Sequence, residues 1–246
     1  MIKKNKHNMI KFFNNLKLIY VTFLLFAAAF YNNLNAQNTN SDFALWNSIG
    51  VDYSFNNKLK IGIEYNLRLK EKSSVIDEVF SEIYLEYEIF KNFEITGGAR
   101  FIKEKDNQGK KQGNEHHFRY NFDASYKHSI KSLEISYRFR YQNKNELGIL
   151  KEDGDIPGQN VRFKTSFEYS IKKWPLDPEF SVELFSKIES QTKMQLNKYR
   201  LTFGTDYKTK DLGKIGIYYR FEEDINTDNS PKERLSILGL KYSYSI

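Results

Sequence analysis

The chain has no cysteine in its 246 residues. That excludes disulfides, thiol catalysis, cysteine metal sites and a lipidated N-terminal cysteine. Past the N-terminal region there is no run of eighteen apolar residues, so no transmembrane helix is expected. Histidine is scarce: after residue 36 only His116, His117 and His128 remain. His116 and His117 are adjacent, so in a strand they point to opposite faces and cannot jointly hold a metal. His128 falls in an expected short turn, and no spacing gives either His117 or His128 a nucleophile. Gly97-Gly98 lies in an expected strand and Gly109, Gly113, Gly148, Gly154 and Gly158 in loops; none forms a phosphate-binding pattern. No catalytic residue, metal ligand or cofactor site is expected.

What the chain has in abundance is aromatic residues, 16% of the total, although the mean hydropathy is only −0.64. Two-faced strands resolve this conflict, because one face of a sheet can be apolar while the other is charged. Leu133 to Asn143 shows the design. Leu133, Ile135, Tyr137, Phe139 and Tyr141 share one face; Glu134, Ser136, Arg138, Arg140 and Gln142 share the other.

At the N-terminus, Lys3, Lys4, Lys6, Lys11 and Lys17 precede an apolar stretch from Leu18 to Phe30, and Leu34-Asn35-Ala36 offers a small residue before a cut. A basic region, a short apolar region and a small residue define a secretory signal peptide over residues 1–36. Its removal takes away five lysines and no acid, so the formal charge falls from +7 to +2. The high pI therefore gives no argument for a nucleic-acid partner. Residues 37–246 are expected to form a single domain.

Eleven strand-like segments follow, near 42–55, 59–69, 79–89, 93–101, 117–126, 133–143, 161–171, 180–188, 199–207, 215–221 and 235–246. Short turns at 56–57, 91–92, 127–131, 173–178 and 208–213 alternate with longer polar loops at 70–78, 103–115, 143–159, 189–197 and 223–233. Aromatics cluster near strand ends, at Tyr53, Phe55, Phe93, Phe101, Tyr126, Tyr141, Tyr207 and Phe221. This pattern predicts an all-β, up-and-down antiparallel transmembrane barrel, apolar face outward, in the outer membrane. Single-chain bacterial barrels have even strand numbers, so ten to twelve strands are expected. Gly239 to Ile246, a glycine followed by alternate aromatics, resembles the terminal strand signal read by outer-membrane assembly machinery. That machinery and outer-membrane lipid are the expected partners.

Phe43-Ala44-Leu45-Trp46, the Asn56-Asn57-Lys58 turn and Glu64-Tyr65-Asn66-Leu67-Arg68 together make residues 42–246 similar to a Bacteroidota outer-membrane family catalogued as domain of unknown function 2490. The resemblance implies an outer-membrane barrel and brings no catalytic residues.

With the apolar face against lipid, the charged face lines the lumen. Arg68, Arg100, Arg119, Arg138, Arg140, Arg162, Lys164, Lys187, Arg200 and Arg220, with His117, are expected toward the long-loop end. Asp52, Glu64, Glu86, Glu88, Glu94, Asp123, Glu134, Glu168, Glu183 and Asp206 are expected toward the short-turn end, with Glu82, Glu222 and Lys241 as exceptions. A basic vestibule of this kind attracts small anionic solutes. The same side chains could instead cross-brace one another and fill a closed structural barrel. Two other classes remain: an outer-membrane lipid or ester hydrolase using His117 or His128, and a secreted soluble barrel binding an apolar ligand.

Overall fold

Period-two alternation becomes a continuous ladder in the computed structural model, which describes residues 39–106, 113–149, 157–172, 174–190, 193–209, 212–225 and 231–246. The expected signal peptide lies outside the described residues. Among them are eleven strands: β1 (Thr39–Ser54), β2 (Leu59–Lys70), β3 (Val75–Phe90), β4 (Phe93–Asp106), β5 (Gly113–Ile130), β6 (Leu133–Glu146), β7 (Gly158–Tyr169), β8 (Leu176–Ser190), β9 (Lys193–Lys208), β10 (Lys214–Asp224) and β11 (Lys232–Ser245). Each strand pairs antiparallel with the next, and the sheet closes on itself. Closure leaves no row of unpaired backbone groups, which is the condition for a sheet to sit in lipid.

The ring closes with an odd number of strands because β1 and β11 run parallel. Thr39 lies opposite Lys232 and Asp52 opposite Ser245. Ile246 extends the seam: its N–H donates to the Asp52 carbonyl at 2.9 Å, and its carbonyl accepts from Ser54 N–H at 3.2 Å. No hidden twelfth strand is needed: β1 begins at the long-loop end and β11 finishes at the short-turn end. Parallel pairing is slightly weaker per residue than antiparallel, and side chains reinforce it from inside. Ala44, Trp46 and Ile237 form a buried apolar cluster flanking the seam, with Tyr218 and Leu235 packed against it. Gly239 makes room for this, since a Cβ there would overlap the Tyr218 ring.

The strands are strongly tilted. Paired residues followed from Leu59 at the foot of β2 through each neighbour in turn arrive at Ser41, near the head of β1. Several strands reach further toward the long-loop end than their apolar alternation does. β4 continues through Lys103-Glu104-Lys105-Asp106 and β3 begins at Val75. Both faces of that β4 segment are polar, so its ladder continues after the hydrophobic signal has stopped, whereas β3 gains Val75 and Ile76 beyond the polar Asp77-Glu78 step. The loops shrink accordingly, to 71–74 between β2 and β3 and to 191–192 between β8 and β9. At the other end, β5 runs to Ile130, so His128 lies in a strand rather than in a turn.

Polarity is inside out relative to a packed soluble barrel. Ile63 and Phe122 are 51% and 61% exposed on the outer face, whereas Glu183 is 3% exposed inside. Aromatic contacts gather toward both rims. Tyr53 meets Phe55, Phe90 stacks on Phe93, and His128 stacks between Tyr126 and Tyr137 at the short-turn end. Phe101 meets Phe118, Tyr120 meets Tyr141 and Tyr199 meets Phe221 toward the other. Asp42 ties the β2–β3 turn to β1: its carboxylate accepts from the amides of Glu71 at 2.7 Å and Lys72 at 2.8 Å.

Candidate functional site

Because inward residues recur at every second position on tilted strands, arginines from seven strands meet in the lumen. Eight arginines (Arg68, Arg100, Arg119, Arg138, Arg140, Arg162, Arg200 and Arg220) line a single cavity of about 600 Å³. The ladder sets several cations side by side: Arg100 opposite Arg119, Arg140 opposite Arg162, and Arg138 opposite Lys164. Like charges placed directly across strands repel, so carboxylates are threaded between them.

Glu183 is the hub. It meets Arg138 at 2.8 Å, Arg162 at 2.8 Å and Arg200 at 3.2 Å. Glu82 takes both donors of the Arg100 fork and lies 3.5 Å from Arg119. Asp123 holds Arg140 through two bonds of 2.7 and 2.6 Å, Glu222 holds Arg200 at 2.6 Å, and Glu78 holds Arg68 at 2.8 Å. Seven of the eight guanidiniums thus share five carboxylates. Arg220 makes no ion pair among the described residues and lies over the Tyr218 ring at 3.9 Å.

Besides Tyr218, the inward aromatics Trp46, Phe80 and Phe185 back these guanidiniums, and none of the three belongs to the charged set expected from the sequence. Trp46 has Arg68 over its ring at 3.8 Å, with Arg200 at 5.4 Å and Arg220 at 5.6 Å. Phe80 takes Arg100 at 3.7 Å and Phe185 takes Arg162 at 4.4 Å. Such contacts stabilise by roughly 0.5–2 kcal/mol each, more when desolvated. Their parity marks them: Phe80 shares a face with Glu78 and Glu82, and Phe185 shares one with Glu183.

Lys164 lines the same cavity, as do Glu64, Glu86, Glu94, Asp123 and Glu183 from the expected acidic set. Lys187 does not line it; its partners are Asn160 and Gln195 near the long-loop rim. Toward the short turns lysines do the neutralising: Lys60 with Glu86 at 2.8 Å, Lys127 with Glu94 at 2.9 Å, and Lys214 and Lys241 both with Asp206 at 2.9 Å. Glu134 faces Glu168 across the β6–β7 ladder, and Glu88 lines a smaller cavity at the short-turn mouth. Of the expected acids, Asp123 and Glu183 sit among the arginines, as do Glu82 and Glu222.

His117 Nε2 lies 3.2 Å from Glu115 and 3.4 Å from Glu104. Carboxylates surround it, and no hydroxyl nucleophile bonds to it among the described residues. His128, on the outer face between two tyrosines, has an Nδ1 without a partner there. No group of three or more metal-ligating side chains occurs among the described residues.

A closed, inside-out β-barrel with a charged lumen defines the class of protein. Residues 43–231 match the profile of the family described as protein of unknown function (DUF2490), and the chain belongs to that family. No curated protein matches it. Among solved structures it is similar to one described as the NanC porin in a rhombohedral crystal form, with a TM-score of 0.44 and 15% identity, covering 71% of this chain and 78% of that one.

Proposed function

We propose that this chain is an integral, non-enzymatic outer-membrane barrel whose lumen is a narrow passage selective for small anions. In this reading the signal peptide is removed after Ala36, the short turns face the periplasm, and Gly239 to Ile246 is the strand presented to the assembly machinery. The outward apolar band supports the membrane setting, because in a soluble barrel those side chains would be packed inside. The observation that carries the selectivity is the cation excess around the cavity: eight arginines with Lys164 and Lys241 against Glu64, Glu82, Glu86, Glu94, Asp123 and Glu183, with Arg220 in no ion pair among the described residues. A charged constriction with low-dielectric walls concentrates ions of opposite sign.

Glu183 bridging three strands favours a second reading, a closed barrel in which the belt is a cross-brace. Planar-bilayer recording separates the two. An anion passage gives steady steps with a reversal potential set by the anion gradient, and exchanging Arg138 and Arg140 for Glu reverses the preference. A folded protein that inserts without conducting would be the closed barrel.

A further inference from the structure

Arg119 and Asn121 stand two residues apart on the inward face of β5, so their side chains neighbour one another roughly 7 Å apart. Arg119 is 7% exposed, yet its Nε and Nη2 have no hydrogen-bond acceptor among the described residues. Glu82, at 3.5 Å, is too distant for a good hydrogen bond and is already held by Arg100. Two guanidiniums side by side therefore share one carboxylate.

Asn121 is in the opposite condition. Its Nδ2 donates to Asp123 Oδ1 at 3.2 Å, which fixes the amide's orientation, because the flipped form would set oxygen against a carboxylate. Its Oδ1 is then left without a donor among the described residues. Gly98 faces Asn121 across the ladder and leaves room for the amide; a Cβ there would lie 2.9 Å from that oxygen.

Buried polar atoms are rarely left unmet, and each unmet one is costly. Here two donors and one acceptor are unmet side by side, on residues that line the lumen cavity. A halide would satisfy the donors alone. A group carrying both an anionic oxygen and an O–H would satisfy all three.

We propose that Arg119 and Asn121, with Arg100 beside them, form a recognition site for a hydroxyl-bearing oxyanion, either hydrogen phosphate or a 2-hydroxycarboxylate. The anionic oxygens accept from Arg119 Nε and Nη2, and the ligand hydroxyl donates to Asn121 Oδ1. The site deepens the proposed anion passage in naming its solute class, but it requires binding and not conduction.

The chain has two tryptophans, so Trp174→Phe leaves Trp46, whose indole lies among lumen guanidiniums, as the fluorescent reporter. The detergent-solubilised protein is titrated at neutral pH and constant ionic strength with phosphate, sulfate, glycolate and acetate. Saturable binding is expected for phosphate or glycolate, roughly tenfold or more tighter than for its counterpart without the hydroxyl. Phosphate alone identifies a phosphoryl solute; glycolate alone identifies a hydroxycarboxylate. Asn121→Ala should bring each pair to within about threefold while binding persists. Arg119→Gln should abolish saturation. Arg119→Lys, which keeps the charge and with it the barrel, should weaken binding roughly tenfold by removing Nε. Absence of saturation by any of the four, equal response within both pairs, or unchanged affinity in Arg119→Lys overturns the site. Binding without current would fail the passage and leave the site standing, whereas anion current without discrimination would do the reverse.

Discussion

Arg68 lies over the indole of Trp46, 3.8 Å from the ring centroid, and the two residues are direct partners across the β1–β2 ladder. One aromatic side chain thereby serves two structures. Its faces meet the guanidiniums of the belt, and it is buried with Ala44 and Ile237 in the cluster that reinforces the parallel seam.

Trp46→Ala should therefore loosen both. Removing a buried tryptophan costs about 3–5 kcal/mol, and the effect should appear as a lower urea midpoint in detergent, followed by circular dichroism. Trp46→Phe keeps a ring for Arg68 and should lose much less. Equal loss in the two variants would mean that indole shape, rather than ring and apolar volume, holds the seam.

Glu183→Gln removes the only carboxylate that Arg138 and Arg162 meet in ion pairs among the described residues. Breaking a buried ionic hub from one side costs about 3–5 kcal/mol, because the remaining charges stay buried. Adding Arg162→Gln should recover part of the loss, since it takes away one stranded cation. A double variant no more stable than the single one would show that Glu183 acts by packing rather than by charge.

Asp42→Ala should release the β2–β3 turn. Glu71, Lys72 and Ser73 all take left-handed backbone angles, with φ of 53, 56 and 64°, a conformation costing about 1–2 kcal/mol per non-glycine residue. The Asp42 carboxylate compensates by binding two of their amides. Limited proteolysis should find the variant cut within 71–74 while the parent resists, with the rest of the barrel intact in both. Resistance in the variant would place the restraint in the Ser73 N–H bond to the Phe43 carbonyl, 3.1 Å long.

Gly239→Val places a side chain where the Tyr218 ring lies. The ring must swing out, taking with it the surface on which Arg220 rests. Slower folding into liposomes and a smaller heat-modifiable fraction are expected. Tyr218→Ala in the same chain should relieve the clash and restore folding in part.

Alternation made the strands legible wherever an apolar outer face opposes a charged inner one, as in Val161, Phe163 and Thr165 of β7 or Leu133 to Tyr141 of β6. It failed at the rim of β4, where Lys103 to Asp106 is polar on both faces although the ladder continues. The sequence predicts a turn over 127–131 that holds His128, while the backbone pairs on to Ile130. The charged lumen residues follow from parity, but their partners do not. Glu183 reaches Arg138 across an intervening strand, a consequence of tilt that no local spacing records. Trp46 falls on the inward face by parity with Phe43 and Leu45 outward, but parity does not tell which guanidiniums it meets. The parallel seam leaves no local signature either, being a contact between segments nearly two hundred residues apart.

That seam also imposes an order of events. Every other strand can pair with a neighbour made just before or after it, but β1 lacks one of its two neighbours until β11 exists. Until then the sheet carries an unsatisfied flank on its earliest strand, and the contact that removes it has the greatest sequence separation in the barrel. Such long-range closure is slow, and exposed flanks are sticky. The unclosed sheet is thus the aggregation-prone form of this topology, and the ring is complete only once the last strand has paired with the first.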